Sequence, residues 1–286
     1  RSGVLARGAG EWLRARGVAR VGFDAAEHTV SVIEQLRGAA RAEAVGLDPA
    51  ASQLRIVKDS EEIAAIRAAS ALAEGVLADV LPTLAAGVRE REVATTIEYE
   101  FKRRGAAGTS FDTIVLFGAR SSLPHGMPGD TPLQPGDIVL IDMGCRHGGY
   151  CSDLTRTYVF GSLPDSWFET VYGVVREAQQ RALDTVRAGV EAREADAAAR
   201  TLIAEAGYGE YFGHGLGHGV GIAVHEGPRL NRESDTVLAP GMVVTVEPGV
   251  YLPGQGGVRI EDLVVVTERG CDVLTRTPKA LEILGR

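Results

Sequence analysis

Four carboxylates stand out by their setting. Asp142 closes the apolar run Ile138–Ile141, and Asp153 lies on a return strand expected over Tyr150–Phe160. Glu247 follows the run Met242–Val246, and Glu261 lies on a return strand expected over Val258–Val266. A hairpin turning at Arg146–Gly149, centred between His147 and Gly148, would set Asp142 opposite Asp153 with Cβ atoms about 5 Å apart. A turn at Pro253-Gly254-Gln255, centred on Gly254, would do the same for Glu247 and Glu261. Facing like charges destabilise a hairpin unless something neutralises them. Two such pairs, each behind an apolar strand, call for cations. Together they make a hard, oxygen-rich site for two divalent ions roughly 3.5–4 Å apart.

The six histidines are few enough for position to matter. Gly213–Gly221 alternates glycine with other residues and carries His214 and His218. An HxxxH pair on a helix would signal zinc, but five glycines in nine residues argue against a helix. In an extended strand the two side chains share a face about 13 Å apart, so both cannot hold one ion. One ligates, with His218 favoured, and the other lines the cleft. His225 and His125 each fit a packed or surface histidine as well as a catalytic one. His147, in the expected turn, and His28 read as structural or exposed.

The elements that must position these groups come in repeated units. Asp59 and Glu62 form a capping box, and Ile63, Ile66, Ala69, Leu72, Ala73 and Val76 keep helical spacing behind it. Further helices are expected at Arg89–Arg104, closed by Gly105, at Trp167–Arg187, and at Glu191–Ala206, ended by Gly207. Leu81, Thr83, Ala86, Gly87, Val88, Arg91, Glu92 and Gly105 recur 102 residues later as Leu183, Thr185, Ala188, Gly189, Val190, Arg193, Glu194 and Gly207. Leu133, Pro135-Gly136, Asp142 and Gly144 recur 105 residues later as Leu238, Pro240-Gly241, Glu247 and Gly249. The repeat implies two similar halves about a pseudo-two-fold axis, with a site where they meet.

Residues 1–55 read differently. Glu11–Arg16 is helical, Val18–Phe23 strand-like and His28–Arg37 an amphipathic helix, which suits the end of a smaller α/β unit. The Asp48-Pro49 turn marks the expected boundary, and the start at Arg1, without Met, suggests a truncated beginning. The net charge of −8 argues against nucleic acid or an anionic membrane as partner. No apolar run of bilayer length and no signal-peptide pattern is present, which points to the cytoplasm. Three cysteines without a CxxC pair suit reduced thiols there.

At this level the motifs resemble those of the creatinase/prolidase family, which includes aminopeptidase P. They are Asp142-Met-Gly, Cys151-Ser-Asp153-Leu-Thr-Arg156-Thr, His214-Gly-Leu-Gly-His218-Gly-Val-Gly, Val224-His225-Glu, Thr245-Val-Glu247-Pro-Gly and Gly257-Val-Arg259-Ile-Glu261-Asp. The resemblance runs from about Ile56 to the C-terminus. It implies an α+β pita-bread fold over 56–286, with 1–55 the remnant of an N-terminal α/β domain. It further implies that Asp142, Asp153, His218, Glu247 and Glu261 bind two divalent ions, with Asp153 and Glu261 bridging. Manganese is the expected metal, with cobalt or zinc as substitutes.

The activity implied is hydrolysis of the bond between an N-terminal residue and a following proline, by an Xaa-Pro aminopeptidase. Water made acidic by the ions attacks the carbonyl before proline. His225 stabilises the oxyanion, Glu247 shuttles the proton, His125 and His214 position the substrate, and Arg259 orients the metal-binding carboxylates. The partner is a peptide with proline second, and a homodimer is expected. Tyr158, Tyr211, Phe212 and Tyr251 are candidates for the apolar wall that a proline ring needs. The alternative on the same scaffold is an Xaa-Pro dipeptidase, which would clamp the substrate's C-terminal carboxylate with a basic residue. A methionine aminopeptidase or a binding module without catalytic ligands fits less well.

Overall fold

The computed structural model describes residues 2–25, 28–47 and 50–285, and the Asp48-Pro49 turn lies outside them. The chain separates into two compact units, Arg1–Arg55 and Ile56–Arg286.

In the first unit, helix α1 (Ser2–Ala15) leads to strand β1 (Arg20–Asp24), helix α2 (Val30–Ala40), strand β2 (Glu43–Leu47) and the short helix α3 (Ala50–Leu54). The strands are parallel, with Arg20 opposite Glu43, and α2 supplies the crossover that parallel pairing requires. Thr29 caps α2 by accepting a hydrogen bond from the Val32 N–H. Helix α1 starts well before the expected Glu11, because packing on α2 outweighs the low helix propensity of Gly8 and Gly10.

The second unit is built twice over. Its first half contains α4 (Ser60–Val80), α5 (Glu90–Arg103), β3 (Gly108–Thr109), β4 (Ile114–Phe117), β5 (Ile138–Met143), β6 (Cys145–His147), β7 (Tyr150–Cys151) and β8 (Leu154–Phe160). Its second half contains α6 (Trp167–Thr185), α7 (Ala192–Glu205), β9 (Gly217–Gly219), β10 (Glu226–Leu230), β11 (Val243–Val246), β12 (Gly249–Leu252), β13 (Gly256–Arg259), β14 (Asp262–Val266) and β15 (Cys271–Val273). Strand β16 (Ile283–Leu284) returns to pair with β8 in the order β16-β8-β5-β4, and the second half's sheet runs β10-β9-β11-β14-β15. The expected capping box is present, with Asp59 accepting from the Glu61 and Glu62 N–H groups and Glu62 from the Asp59 N–H.

The repeated residues do repeated jobs. Gly87 and Leu133 exchange backbone hydrogen bonds with their neighbours as Gly189 and Leu238 do: Gly87 N–H to Leu133 O and Leu133 N–H to Val88 O, then Gly189 N–H to Leu238 O and Leu238 N–H to Val190 O. Each half has its own core of helix faces on sheet, one around Phe101, Phe117 and Val139, the other around Phe168, Val175 and Val264.

Only one hairpin keeps its expected register. Val246 faces Asp262 and Gly249 faces Arg259, on either side of Glu247 and Glu261. In the first half Asp142 faces Thr155, not Asp153. The turn is Gly148-Gly149, with φ of 61° and 88°, and His147 pairs with Tyr150 across it. A two-residue turn with both central φ positive matches strand twist and favours glycine. It moves the centre one residue along the chain, and Asp153 falls in the break between β7 and β8.

Truncating Phe101 or Phe168, both fully buried, should each cost about 3–5 kcal/mol in urea unfolding. A loss under about 1 kcal/mol at either site would mean that half lacks the tightly packed core described.

Candidate metal centre

Strand β5 carries Asp142 out of the sheet at its C-terminal end, flanked by Ile114 of β4 and Thr155 of β8. Asp153 and Glu261 sit in the breaks before β8 and β14, where a side chain can turn inward without disturbing a ladder. Oxygens of Asp142, Asp153 and Glu261 lie within 4.8 Å of one another. Asp153 and Glu261 are 4% and 1% exposed.

His218 reaches the same place from β9. The glycines around it allow close strand approach: a Cβ on Gly217 would lie 2.1 Å from the Thr245 carbonyl oxygen, and one on Gly219 2.0 Å from that of Gly227. His218 Nε2 stands 3.3 Å from Glu247 Oε1 and 3.7 Å from Asp153 Oδ2. The structure therefore brings Asp142, Asp153, His218, Glu247 and Glu261 together.

The electrostatics are those of a cluster short of positive charge. Burial first, then the neighbouring carboxylates, push the Asp153 and Glu261 carboxyls well above the usual range. Burial raises Asp142 too, against the pull of Arg259. Burial alone would raise Glu247 and lower His218. Their mutual hydrogen bond and attraction win, taking Glu247 to about 2 and His218 upward. A proton on His218 Nε2 thus does part of what a divalent ion would do. Asp142 Oδ1 is buried with no hydrogen-bond partner among the described residues. That orphan oxygen, the crowded carboxylates and the imidazole fit divalent cations.

Two threonines serve the cluster. Thr155 Oγ1 donates to Glu261 Oε2 at 2.7 Å, and Thr245 Oγ1 donates to Glu247 Oε1 at 3.0 Å while accepting the His218 N–H. Neither stood out in the sequence, yet each lies two residues from a carboxylate, the spacing that shares a strand face.

Arg259 is 3% exposed and wholly committed inward. It donates to Asp142 Oδ2 at 2.6 Å, Thr155 Oγ1 at 3.1 Å, the Tyr251 hydroxyl at 2.8 Å and Pro124 O at 3.3 Å. Since a guanidinium can only donate, the Tyr251 hydroxyl accepts from Arg259 and donates its own hydrogen bond to His214 Nε2, 2.8 Å away. His214 Nδ1 then carries hydrogen and donates to Gly215 O at 2.7 Å. Both ring nitrogens are spent on protein groups, and burial lowers the imidazole's pKa.

His225 is exposed, with its ring 4.4 Å from that of His218 and its pKa lowered by burial and by His218. His125 is exposed on the segment after β4, next to Pro124. Of the aromatics expected to form an apolar wall, Tyr251 is instead part of the polar chain to Asp142, Tyr158 packs in the first half's core, and Phe212 lies under the Arg200 guanidinium at 4.0 Å. Tyr211 is exposed. One further cation carries no motif in the sequence: Arg229 of β10 stands opposite His218 in the ladder, exposed, with no hydrogen-bond or ion-pair partner among the described residues.

Comparison with known proteins identifies the family. Residues 64–268 match the family described as metallopeptidase family M24. The Xaa-Pro dipeptidase of Pyrococcus furiosus is 46% identical over 235 residues, 82% of this chain and 67% of that protein. The solved structure of an Xaa-Pro dipeptidase from Bacillus anthracis has a TM-score of 0.93 at 42% identity, covering 98% of this chain and 78% of the other. An X-Pro aminopeptidase from Thermotoga maritima has a TM-score of 0.91 at 37% identity, covering 98% and 80%.

The carboxylates set a pH dependence. The raised Asp153 and Glu261 contribute stability that is fully present below their unfolded values near 4 and is lost as pH rises through their folded ones. Glu247, lowered, contributes stability above its unfolded value that is lost as pH falls toward about 2. Divalent ions remove the repulsion behind the first effect. The gain in Tm from Mn²⁺ over EDTA-treated protein should therefore grow from about pH 5 to about pH 8. A gain that stays flat across that window would exclude ion binding by this pair.

Proposed function

The chain belongs to metallopeptidase family M24 and has its pita-bread fold, and we propose that it is a dinuclear-metal exopeptidase whose substrate is an Xaa-Pro dipeptide. Asp142, Asp153, His218, Glu247 and Glu261 would hold two divalent ions. Mn²⁺ is the first choice, with Zn²⁺ or Co²⁺ able to replace it in a set of four carboxylates and one imidazole. Bound ions would lower the pKa of water enough to supply a nucleophile near neutral pH and would polarise the scissile carbonyl.

The chain's own residues supply the rest. Glu247, kept ionised beside His218, takes the proton of the attacking water and carries it to the proline nitrogen, which must gain one to leave. His225, exposed beside His218, donates to the oxygen on which charge develops. His125 orients the substrate from the facing loop. His214 holds Tyr251, and through it Arg259 and Asp142, in place.

The sequence reading put an aminopeptidase first, whereas the dipeptidase is better supported. The Pyrococcus relative at 46% identity is an Xaa-Pro dipeptidase, and Arg229 is the observation in this chain that carries the choice. A dipeptide ends in a carboxylate one residue past the scissile bond and needs a cation within a few ångströms of the metal ligands. Arg229 faces His218 across the ladder, close enough for its charge to act on His225. An aminopeptidase must leave that end open for further residues.

Protein reconstituted with Mn²⁺ should release alanine from Ala-Pro, and Asp153→Ala should abolish the reaction. Arg229→Gln should raise KM for Ala-Pro about 10–100-fold, the size of a charge-assisted hydrogen bond, with little effect on Ala-Pro amide. Faster cleavage of Ala-Pro-Ala than of Ala-Pro would instead make the protein an aminopeptidase. Two bound ions with no hydrolysis of either would remove the proline assignment.

A further inference from the structure

The loops that carry His125 and His214 are each closed by a fully buried carboxylate from a helix of the same half. Glu90, the first residue of α5, is 0% exposed. Its side chain accepts the N–H of Phe117 at 2.9 Å and of Gly129 at 2.8 Å, the two ends of the segment with His125 near its middle. It also accepts from Arg120 Nε at 3.0 Å to both oxygens, and Arg120 reaches across the same loop to Met127 O at 2.6 Å. The loop is thereby braced from within, and Pro124 O beside His125 meets Arg259.

In the second half Asp196 of α7 is likewise 0% exposed. It accepts the Leu216 N–H at 2.9 Å and pairs with Arg200 through both oxygens at 2.7 Å. Arg200 donates to Phe212 O at 2.9 Å and His214 O at 2.7 Å. Again a buried carboxylate and its arginine tie down both sides of a histidine. The two carboxylates are not equivalent in the internal repeat: the 102-residue offset places Ala192 where Glu90 stands. The same arrangement therefore occurs in each half from different positions. Burying a charge is costly unless it is paired and fully hydrogen-bonded. Here every bond made by these carboxylates goes to the histidine loop or to the arginine that braces it.

We infer that Glu90 and Asp196 are positioning residues, which set His125 and His214 against the metal centre without touching substrate. The inference rests on the cleft being catalytic, as proposed above, but its structural half can be tested independently. In Glu90→Gln, amide hydrogen exchange should rise from Phe117 to Gly129 and nowhere in Phe212–Leu216. Asp196→Asn should show the reverse, and Mn²⁺ stoichiometry should hold in both. kcat on Ala-Pro should fall by up to about 10²-fold, the effect of displacing a catalytic group by about 1 Å. Glu90→Gln combined with His125→Ala should be no slower than His125→Ala alone, and Asp196→Asn with His214→Ala no slower than His214→Ala alone. Unchanged exchange in the matching loop, or losses that multiply in the double variants, would overturn the inference. If Glu90→Gln or Asp196→Asn fails to fold, Arg120→Met in the loop and Arg200→Met on α7 remove the arginine of each brace and should give the same pattern. A wild-type protein inactive on Ala-Pro would defeat the peptidase reading, while the exchange measurement would still decide whether the braces hold the loops.

Discussion

Asp142, Asp153, Glu247 and Glu261 cannot share one nearly dry space as four bare anions. Each carboxylate brought out of water costs free energy, and each neighbour of the same sign adds to it. Much of the second unit is arranged around that repulsion. Arg259 runs inward to Asp142, His218 stands between Glu247 and Asp153, and Thr155 and Thr245 each give a hydroxyl proton to a glutamate. What these groups leave uncompensated is the affinity for divalent cations, and that affinity is the basis of the chemistry proposed.

The two halves must be held in fixed relation for such a cluster to exist, since each contributes two of its carboxylates. Arg156 of β8 and Asp262 of β14 form an ion pair at 2.8 Å, each 1% exposed. Asp262 is further bound by Gln179, Lys279 and Thr275, and the Arg156 guanidinium also reaches the Glu261 and Thr277 carbonyls. With its partners satisfied, a pair of this kind is held by geometry more than by net energy. It fixes Glu261, its neighbour in sequence, relative to the strand that follows Asp153. Thr157 continues the seam by exchanging hydrogen bonds with the Arg259 backbone.

Histidine roles divide along the same lines. Of the four histidines in the second unit's motifs, His218 is inside the charge cluster, His214 is bound at both nitrogens by protein, and His225 and His125 are exposed. The spacing argument that only one of His214 and His218 could ligate an ion agrees with this division. It could not say what the other would do, because Tyr251 lies 37 residues along the chain from His214.

The internal repeat, the capping box of α4, the glycines that end α5 and α7, the second hairpin's register and the crowding of carboxylates were all determined by the sequence itself. Each depends on spacing within a few residues, or on identical residues returning at a constant offset. The Gly148-Gly149 turn was legible too, and reading it as a two-residue turn would have placed Thr155 opposite Asp142. Tertiary structure alone decided the break that holds Asp153, the commitment of Arg259 and Tyr251, the placement of Arg229 beside His218, and the bracing of the histidine loops by Glu90 and Asp196. Apart from the local break and the Tyr251–Arg259 and Asp196–Arg200 bonds, these contacts join segments separated by 11 to 135 residues. Periodicity reports which face of an element is buried, and it is silent on which distant side chain will meet that face.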